Sequence, residues 1–321
     1  MANQLINNRQ TVIFLMGPTA SGKTSLAVEL HKSLPVEIVS VDSAMVYRGL
    51  DIGTAKPSKA IQKETPHRLI DICDPDERYS AGRFCNDAVH AINEIHTQGR
   101  VPLLVGGTGL YFRSLEQGFS DLPIADQDIR RRLESEAQEY GWEKMHARLH
   151  KVDPDSAARI HRNDPQRIQR ALEIYEITGK PMSELHQKGR TSPLDLQIIK
   201  LVIGSNDRAI LHQQIQTRYH DMLESGLIEE VRQFYERSDM SQALPSMRLV
   251  GYRQVWQYLA GEINYNIMVN KAITATRQLA KRQLTWLRSE KNAHWFDGND
   301  LDLKGNLLKI LHDNAFISAR L

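Results

Sequence analysis

Short unbroken apolar runs alternate with stretches of helical spacing over the first third of the chain. Residues 12–16 (VIFLM) are continuously apolar and predict a central strand. Beyond a glycine-rich turn, Leu26, Leu30 and Leu34 recur at every fourth position, so a helix there lays one stripe back on the sheet. Residues 36–41 predict a second strand and residues 69–73 a third. Ser80 is placed to cap a helix whose Phe84, Ala88, Ala91 and Ile95 share one face, and Gly99 ends it. Residues 101–105 form a fourth apolar run leading straight into Gly106-Gly107-Thr108-Gly109. Strands without polar alternation, separated by helices, belong to a parallel sheet covered on both faces. The predicted class is α/β, with a doubly wound parallel sheet.

After Gly118 the alternation stops. From residue 126 to about 188 the pattern is helical, with acids and bases intermixed, and sheet periodicity returns at 197–203. A helical insertion domain, residues 121–194, is therefore expected inside a core made of 1–120 and 195–321. Its linkers are Asp121-Leu122-Pro123 and residues 189–193. Beyond Gly204 everything reads as helical, at 210–223, 227–235, 249–259 and 267–287, which gives a helical C-terminal part.

The length of 321 residues agrees with two domains, or one carrying a large insertion. With 41% hydrophobic and 25% charged residues the chain is ordinary globular material, which excludes disorder, collagen and coiled coil as global descriptions. No apolar run approaches the ~18 residues of a membrane helix, and the opening MANQLINNRQ is polar; a cytoplasmic protein without a membrane partner is expected. Cys73 and Cys85 are the only cysteines, so neither a disulfide framework nor a thiolate zinc site can be drawn, and both read as reduced and structural. The 41 basic and 39 acidic residues give a net charge of +2, but the distribution is uneven. Between residues 248 and 288, Arg248, Arg253, Lys271, Arg277, Lys281, Arg282 and Arg288 face a single acid, Glu262. That local excess leaves the rest of the chain net acidic and suits a nucleic-acid surface.

Gly17-Pro18-Thr19-Ala20-Ser21-Gly22-Lys23-Thr24 has the form G-x-x-x-x-G-K-T, between an apolar strand and an amphipathic helix. In such a P-loop successive N–H groups converge on phosphate oxygens, the helix N-terminus adds positive potential, Lys23 supplies a cation and Thr24 can ligate Mg²⁺. The loop identifies a polyphosphate and not which one. Transfer of a γ-phosphate usually requires a Mg²⁺-holding acid at the end of an apolar strand, yet residues 101–105 end in Gly-Gly-Thr-Gly. The first acid at the carboxyl end of a strand is Asp42, and that end of an open α/β sheet faces the ligand crevice. Asp42 thus acts beside the phosphate loop or is a turn acid capping the next segment. Asp71, mid-strand in Leu69-Ile70-Asp71-Ile72, is the second candidate for a metal-binding or structural acid.

Arg218 lies beside the stripe of Leu211, Ile215, Tyr219 and Met222, and either binds a phosphate from the core side of its helix or snorkels to the surface. Thr108, on a glycine-flanked turn, either touches a substrate or only shapes the turn. His146 and His150 stand at i, i+4 without the glutamate of a zinc protease motif and read as surface histidines. On a helix, Arg277, Lys281 and Arg288 fall on one side and Ile273, Ala280, Leu284 and Leu287 on the other, with Arg282 and Trp286 flanking; a phosphate-backbone contact is favoured over a merely solvated face. In the insertion, Asn163-Asp164-Pro165-Gln166-Arg167-Ile168-Gln169-Arg170 starts a helix after Asp164, and Gln and Arg there either meet RNA or form an ordinary exposed helix start. A diphosphate pocket with a separate basic surface suggests a small activated donor and a large nucleic-acid acceptor.

These segments resemble the bacterial tRNA dimethylallyltransferase (tRNA isopentenyltransferase) family. The similar pieces are the P-loop, Asp42-Ser43-Ala44-Met45-Val46-Tyr47, Asp51-Ile52-Gly53-Thr54-Ala55-Lys56-Pro57, Gly106-Gly107-Thr108-Gly109-Leu110-Tyr111, Asn163-Asp164-Pro165-Gln166-Arg167, Val250-Gly251-Tyr252-Arg253 and Thr276-Arg277-Gln278-Leu279-Ala280-Lys281-Arg282-Gln283. The resemblance implies transfer of a dimethylallyl group from dimethylallyl diphosphate to N6 of adenosine 37 in the tRNA anticodon loop, with Mg²⁺. It implies that Gly17 to Thr24 hold a leaving diphosphate, with Lys23, Arg218 and the Mg²⁺ on Thr24 stabilising its charge, while Asp42 accepts a proton. Thr108 then positions the base. Asp42, Ser43, Ala44, Met45, Arg130, Gln166, Arg167, Ile168, Gln169, Arg170, Arg248, Gly251, Tyr252, Arg253, Arg277, Gln278, Lys281 and Arg282 are the implied tRNA contacts, and a monomer is expected. The competing readings are an ATP-dependent kinase of a small molecule and a non-catalytic RNA-binding module.

Overall fold

The computed structural model describes residues 10–118, 122–123, 125–187, 196–205 and 207–313. Two compact units emerge, Met1–Leu115 with Leu194–Leu321, and Glu116–Pro193. The boundaries expected at 120/121 and 194/195, and the linker residues Asp121 and 189–193, lie outside the described residues.

In chain order the elements are β1 (Gln10–Met16), α1 (Lys23–Ser33), β2 (Val36–Val41), α2 (Lys59–Glu64), β3 (His67–Arg68), α3 (Ala81–Thr97), β4 (Val101–Gly106) and α4 (Gly109–Gln117). Five helices follow: α5 (Gln127–Tyr140), α6 (Trp142–Val152), α7 (Pro154–Arg159), α8 (Pro165–Thr178) and α9 (Met182–Gln187). The first unit resumes with β5 (Leu196–Gly204), α10 (Arg208–Glu224), α11 (Leu227–Tyr235), α12 (Tyr252–Leu259), α13 (Tyr265–Leu287), β6 (Ala293–Asp297) and α14 (Leu303–Asp313).

The strands form one parallel sheet in the order β3-β2-β4-β1-β5-β6. Every residue of β2 and β4 is buried, as their apolar runs require when helices cover both faces. Alternate side chains of each strand go to opposite layers. On one face Phe14, Met16, Val39 and Leu104 meet Phe84, Ile92 and Ile95 of α3 and Tyr111, Phe112 and Leu115 of α4. On the other, Ile13, Leu15, Ile38 and Leu103 meet Leu26 and Leu30 of α1 and Leu307 and Leu311 of α14. Each large side chain so buried contributes roughly 1.5–3 kcal/mol, so the central strands are a rigid base for the turns that leave them. Met16 and Val41 both pair with Gly106, which sets the carboxyl ends of β1, β2 and β4 level. The turns carrying Gly17, Asp42 and Gly107 therefore start side by side.

The third strand differs from expectation: it is His67–Arg68, and residues 69–73 are not strand. Leu69 and Asp71 lie at φ 62 and 57, a left-handed backbone no strand accepts. The turn brings the Asp71 carboxylate to Lys56 and Lys59, each at 2.6 Å. Asp71 is thus a structural acid neutralised by two lysines, its carboxyl held below the ordinary carboxylate range by them against the opposing effect of burial. The stretch beyond Gly204 is not wholly helical either, because β6 adds to the sheet beside β5. Its half-exposed AHWFD is an edge strand with one polar side, too short and mixed to stand out as an apolar run. Helix α12 begins at Tyr252 and not at 249, since residues 244–251 fold as turns that close on Gly251, whose N–H donates to Gln254 Oε1 at 2.9 Å.

Helices α10–α13 enclose a core of their own with Val46, Tyr47 and Leu50, built on Ile215, Tyr219, Leu227, Val231, Met247 and Val255. The second unit packs α5–α9 around Leu133, Met145, Leu149, Ile168 and Leu172. Asp164 caps α8 through the Arg167 N–H at 3.2 Å, with Pro165 in the first turn, as the sequence predicts. No described helix is long and apolar enough to cross a membrane. Both cysteines are free and buried, and burial pushes each thiol up to about 11, where it is inert.

Candidate active site

A cavity of about 460 Å³ opens where the turns after β1, β2 and β4 meet α10 and α13. Its lining includes Thr19, Ala20, Lys23 and Thr24 of the phosphate loop, Asp42 to Met45, Gly106 to Gly109, Arg218, Arg248, Gly251, Tyr252 and Arg282.

The phosphate loop is shaped for an anion. Ala20 at φ 64 and Gly22 at φ 80 are left-handed, and alternation of this kind turns successive N–H groups into one concavity. The Ser21 hydroxyl is buried there without a hydrogen-bond partner among the described residues. The Lys23 ammonium reaches back to the Pro18 carbonyl at 2.9 Å. Its side chain is half-buried while the ammonium end lies deep among protein atoms; that desolvation pushes its pKa down to about 8, with Asp42 raising it and Arg218 lowering it further. Arg218 is likewise lowered by burial, partly offset by Asp42. The structure turns Arg218 inward: it lines the cavity and has no ion pair among the described residues. Two desolvated cations without a full counter-charge favour an incoming anion.

Asp42 faces them. Its Oδ1 accepts the Ala44 N–H at 2.8 Å, so it does shape the turn after β2, and its other oxygen has no hydrogen bond among the described residues. Thr108 Oγ1 accepts the Ser43 N–H at 3.1 Å, and its own N–H donates to Val41 O at 3.3 Å, which ties the Gly-Gly-Thr-Gly turn to the Asp42 turn. A carboxylate with a free oxygen thus shares one cavity with the anion-binding groups. That pairing suits a reaction in which negative charge leaves on one side and a proton on the other.

Three residues to which the sequence reading gave no role organise the walls. Glu230 is buried and accepts the N–H groups of Asp51, Ile52 and Gly53 at 2.9, 2.7 and 3.1 Å, together with the Tyr252 hydroxyl. Lys56 is buried between Asp51 and Asp71, each at 2.6 Å, and donates to Tyr47 O at 2.8 Å. The segment Asp51 to Pro57 is therefore a braced wall. Gln283 of α13 touches both the phosphate loop and the Gly107 turn. Its signal in the sequence was a polar residue in register with the inward Leu279, Ala280 and Leu287.

The basic residues divide. Arg248, Arg253, Gln278, Lys281, Arg282 and Arg288 are exposed, and Arg248 and Arg282 also line the cavity. Arg277 is not on their face: it is half-buried, with Nη2 3.3 Å from Gln216 Oε1 of α10, because α10 packs along that side of α13. In the second unit Gln166 and Arg167 are exposed at the start of α8. Ile168 is fully buried, backbone included, because it packs into the core of the second unit, so it offers no surface to an RNA. Arg130 and Arg170 converge on the buried Glu173, Arg130 at 2.9 and 3.1 Å and Arg170 at 2.7 Å, and Gln169 donates to Arg130 O at 3.0 Å. His150 is exposed, whereas His146 is half-buried against the carbonyls of Ala157 and Ile160. Among the described residues no group of three or more His, Cys, Asp or Glu is arranged to hold a metal.

Known proteins share this architecture. A family model described as IPP transferase matches residues 45–290. The tRNA dimethylallyltransferase of Coxiella burnetii (strain RSA 331 / Henzerling II) is 55% identical over 306 residues, covering 95% of this chain and 98% of the relative. Among solved structures, the full-length tRNA isopentenylpyrophosphate transferase of Bacillus halodurans is 37% identical with a TM-score of 0.69, covering 96% of each chain. A eukaryotic dimethylallyltransferase, solved acting on tRNA, is 28% identical with a TM-score of 0.81 and covers 97% of this chain and 80% of that one. A family match of that length, with 55% identity to a relative spanned almost end to end, makes this chain a member of the IPP transferase family.

Proposed function

We propose that the protein is a tRNA prenyltransferase that moves a dimethylallyl group from dimethylallyl diphosphate to N6 of adenosine 37 in the anticodon loop, releasing diphosphate. The observation that carries this reading is the single cavity in which Lys23 and Arg218, both desolvated, lie with an Asp42 oxygen that has no protein partner among the described residues. Relatives named tRNA dimethylallyltransferase, and a solved relative acting on tRNA, support it. They disfavour the kinase alternative, as does β4, which ends in Gly106 and continues into Gly107-Thr108-Gly109 without a metal-holding acid.

The chemistry follows from charge. The allylic C–O bond of the donor breaks with its electron pair leaving on the diphosphate, and the N6 lone pair forms the new N–C bond. An exocyclic adenine amine is a weak nucleophile, so the Asp42 carboxylate takes its proton. The loop N–H groups, Lys23 and Arg218 hold the departing charge. The Thr24 hydroxyl, on the cavity wall beside Lys23, would hold a Mg²⁺ ion, and that ion would supply charge neutralisation to the diphosphate. Adenosine must leave its stack to reach Asp42, with the Thr108 turn guiding it. Arg248, Arg253, Lys281, Arg282 and Arg288, all exposed, meet the RNA backbone on the first unit; on the second unit the exposed Gln166 and Arg167 are the candidates for a contact of their own.

The test is mass spectrometry of an anticodon stem-loop incubated with the protein, Mg²⁺ and dimethylallyl diphosphate without ATP. One added isoprene unit on the target adenosine is expected; unmodified RNA would contradict the reading. Lys281→Ala should weaken tRNA binding and lower the salt slope of binding by about one, whereas an unchanged slope would place the RNA elsewhere. A pH dependence also follows. Diphosphate binds the ammonium form of Lys23, and with a free-site pKa of about 8 that form is already present below pH 8. Above it, binding must take up a proton, so donor affinity should fall about tenfold per pH unit from 8 upward. A flat titration of donor affinity between pH 7 and 9 would exclude Lys23 as the group in contact with phosphate.

A further inference from the structure

Gln283 lies on the inward side of α13 while its neighbours Lys281 and Arg282 are exposed. Its side-chain amide has both ends engaged. Oε1 accepts the Thr19 N–H of the phosphate loop at 2.8 Å, and Nε2 donates to the Gly107 carbonyl at 3.0 Å. The fit is close: a Cβ at position 107 would collide with the Gln283 amide nitrogen, so glycine there is what lets the bridge form. One side chain thus spans the anion-binding loop and the turn that carries Thr108, and Thr108 in turn accepts from Ser43 beside Asp42.

We propose that Gln283 is a positioning residue for prenyl transfer, fixing the separation between the diphosphate cradle and the Thr108–Asp42 side where adenine is received. The proposal rests on the reaction assigned above. A donor carbon held by one turn and an amine received by another react only if the two turns keep their distance, and two hydrogen bonds from one amide on the cavity wall hold that distance. The same residue ties the loop to the helix whose exposed face carries Lys281 and Arg282, so seating RNA on that face bears directly on the cradle.

Glutamine is the side chain the geometry demands. Gln283→Met keeps the length and loses both bonds. Gln283→Glu keeps the acceptor for Thr19, sets a carboxylate oxygen against the Gly107 carbonyl and adds negative charge beside the diphosphate. The experiment is steady-state kinetics of both variants with an anticodon stem-loop and dimethylallyl diphosphate, alongside amide hydrogen exchange at Thr19 in the unliganded protein. For Gln283→Met, kcat should fall about 10- to 100-fold with both KM values within about threefold of wild type and Thr19 exchange accelerated. Gln283→Glu should add a rise of about tenfold in KM for the donor, because the new charge opposes the diphosphate. A merely structural glutamine would lower the melting temperature of both variants alike and leave kcat per folded molecule unchanged, which overturns the proposal. So does a change confined to tRNA affinity. Absence of prenyl product from the wild-type chain overturns the reaction assignment, whereas unchanged Thr19 exchange in Gln283→Met overturns the bridge, and the two failures are distinguishable.

Discussion

Asp42→Ala should lower the rate of prenyl transfer about 10²- to 10⁴-fold while tRNA affinity stays within about twofold of wild type. On the proposed reaction, the loss comes from removing the group that accepts the N6 proton, and binding stays constant because the exposed cations proposed to hold the RNA are untouched. Alanine also removes the acceptor for the Ala44 N–H, so a second variant separates the two duties of this side chain. Asp42→Asn retains an oxygen for Ala44 and preserves the turn, but it cannot take a proton. It should be nearly as inactive as the alanine variant. Near-normal turnover in Asp42→Asn would assign Asp42 to the turn alone and move the proton acceptor elsewhere.

Lys23→Met should cost about 10²- to 10³-fold in kcat/KM for dimethylallyl diphosphate, because on the proposed reaction the loop then loses a cation that holds the departing charge. The methionine chain fills the same space, which leaves the loop backbone in place. Arg218→Ala should act in the same direction, and the double variant should lose less than the product of the two, since both cations serve one charge. Inhibition by pyrophosphate gives an independent reading. It should weaken in Lys23→Met along with turnover, whereas intact pyrophosphate inhibition would separate the loop lysine from the leaving group.

The core of the fold was legible because its strands are buried on both faces: the runs at 12–16, 36–41 and 101–105, with helices between them, require a parallel sheet covered on both sides. The placement of residues 17–24 and Asp42 at one cavity was legible for a related reason, since a strand's carboxyl end places its next residue at the ligand crevice. The strand expected at 69–73 failed where long-range charge decided the backbone. Asp71 turns to meet Lys56 and Lys59, and no local periodicity encodes that pairing. Strand β6 was hidden because an edge strand lacks the double burial that makes a run visible. Arg277 shows the limit of helical-wheel reasoning on a 23-residue helix. Which stripe is solvated depends on where α10 packs, and the wheel does not contain that fact. Glu230 and Gln283 are satisfied through tertiary contacts with segments far away in the chain, so their roles appear once those segments are brought together.

In the proposed reaction the phosphate loop stabilises a departing diphosphate while Asp42 takes the proton of an adenine amine. The decisive experiment counts products in a single-turnover reaction that contains the protein, tRNA, Mg²⁺ and dimethylallyl diphosphate, with no nucleotide triphosphate present. One pyrophosphate released for each adenosine alkylated, with both slowed in parallel by Asp42→Asn, is the predicted result. Turnover that appears only when ATP is supplied, with a phosphoryl group rather than a prenyl group on the acceptor, would contradict it.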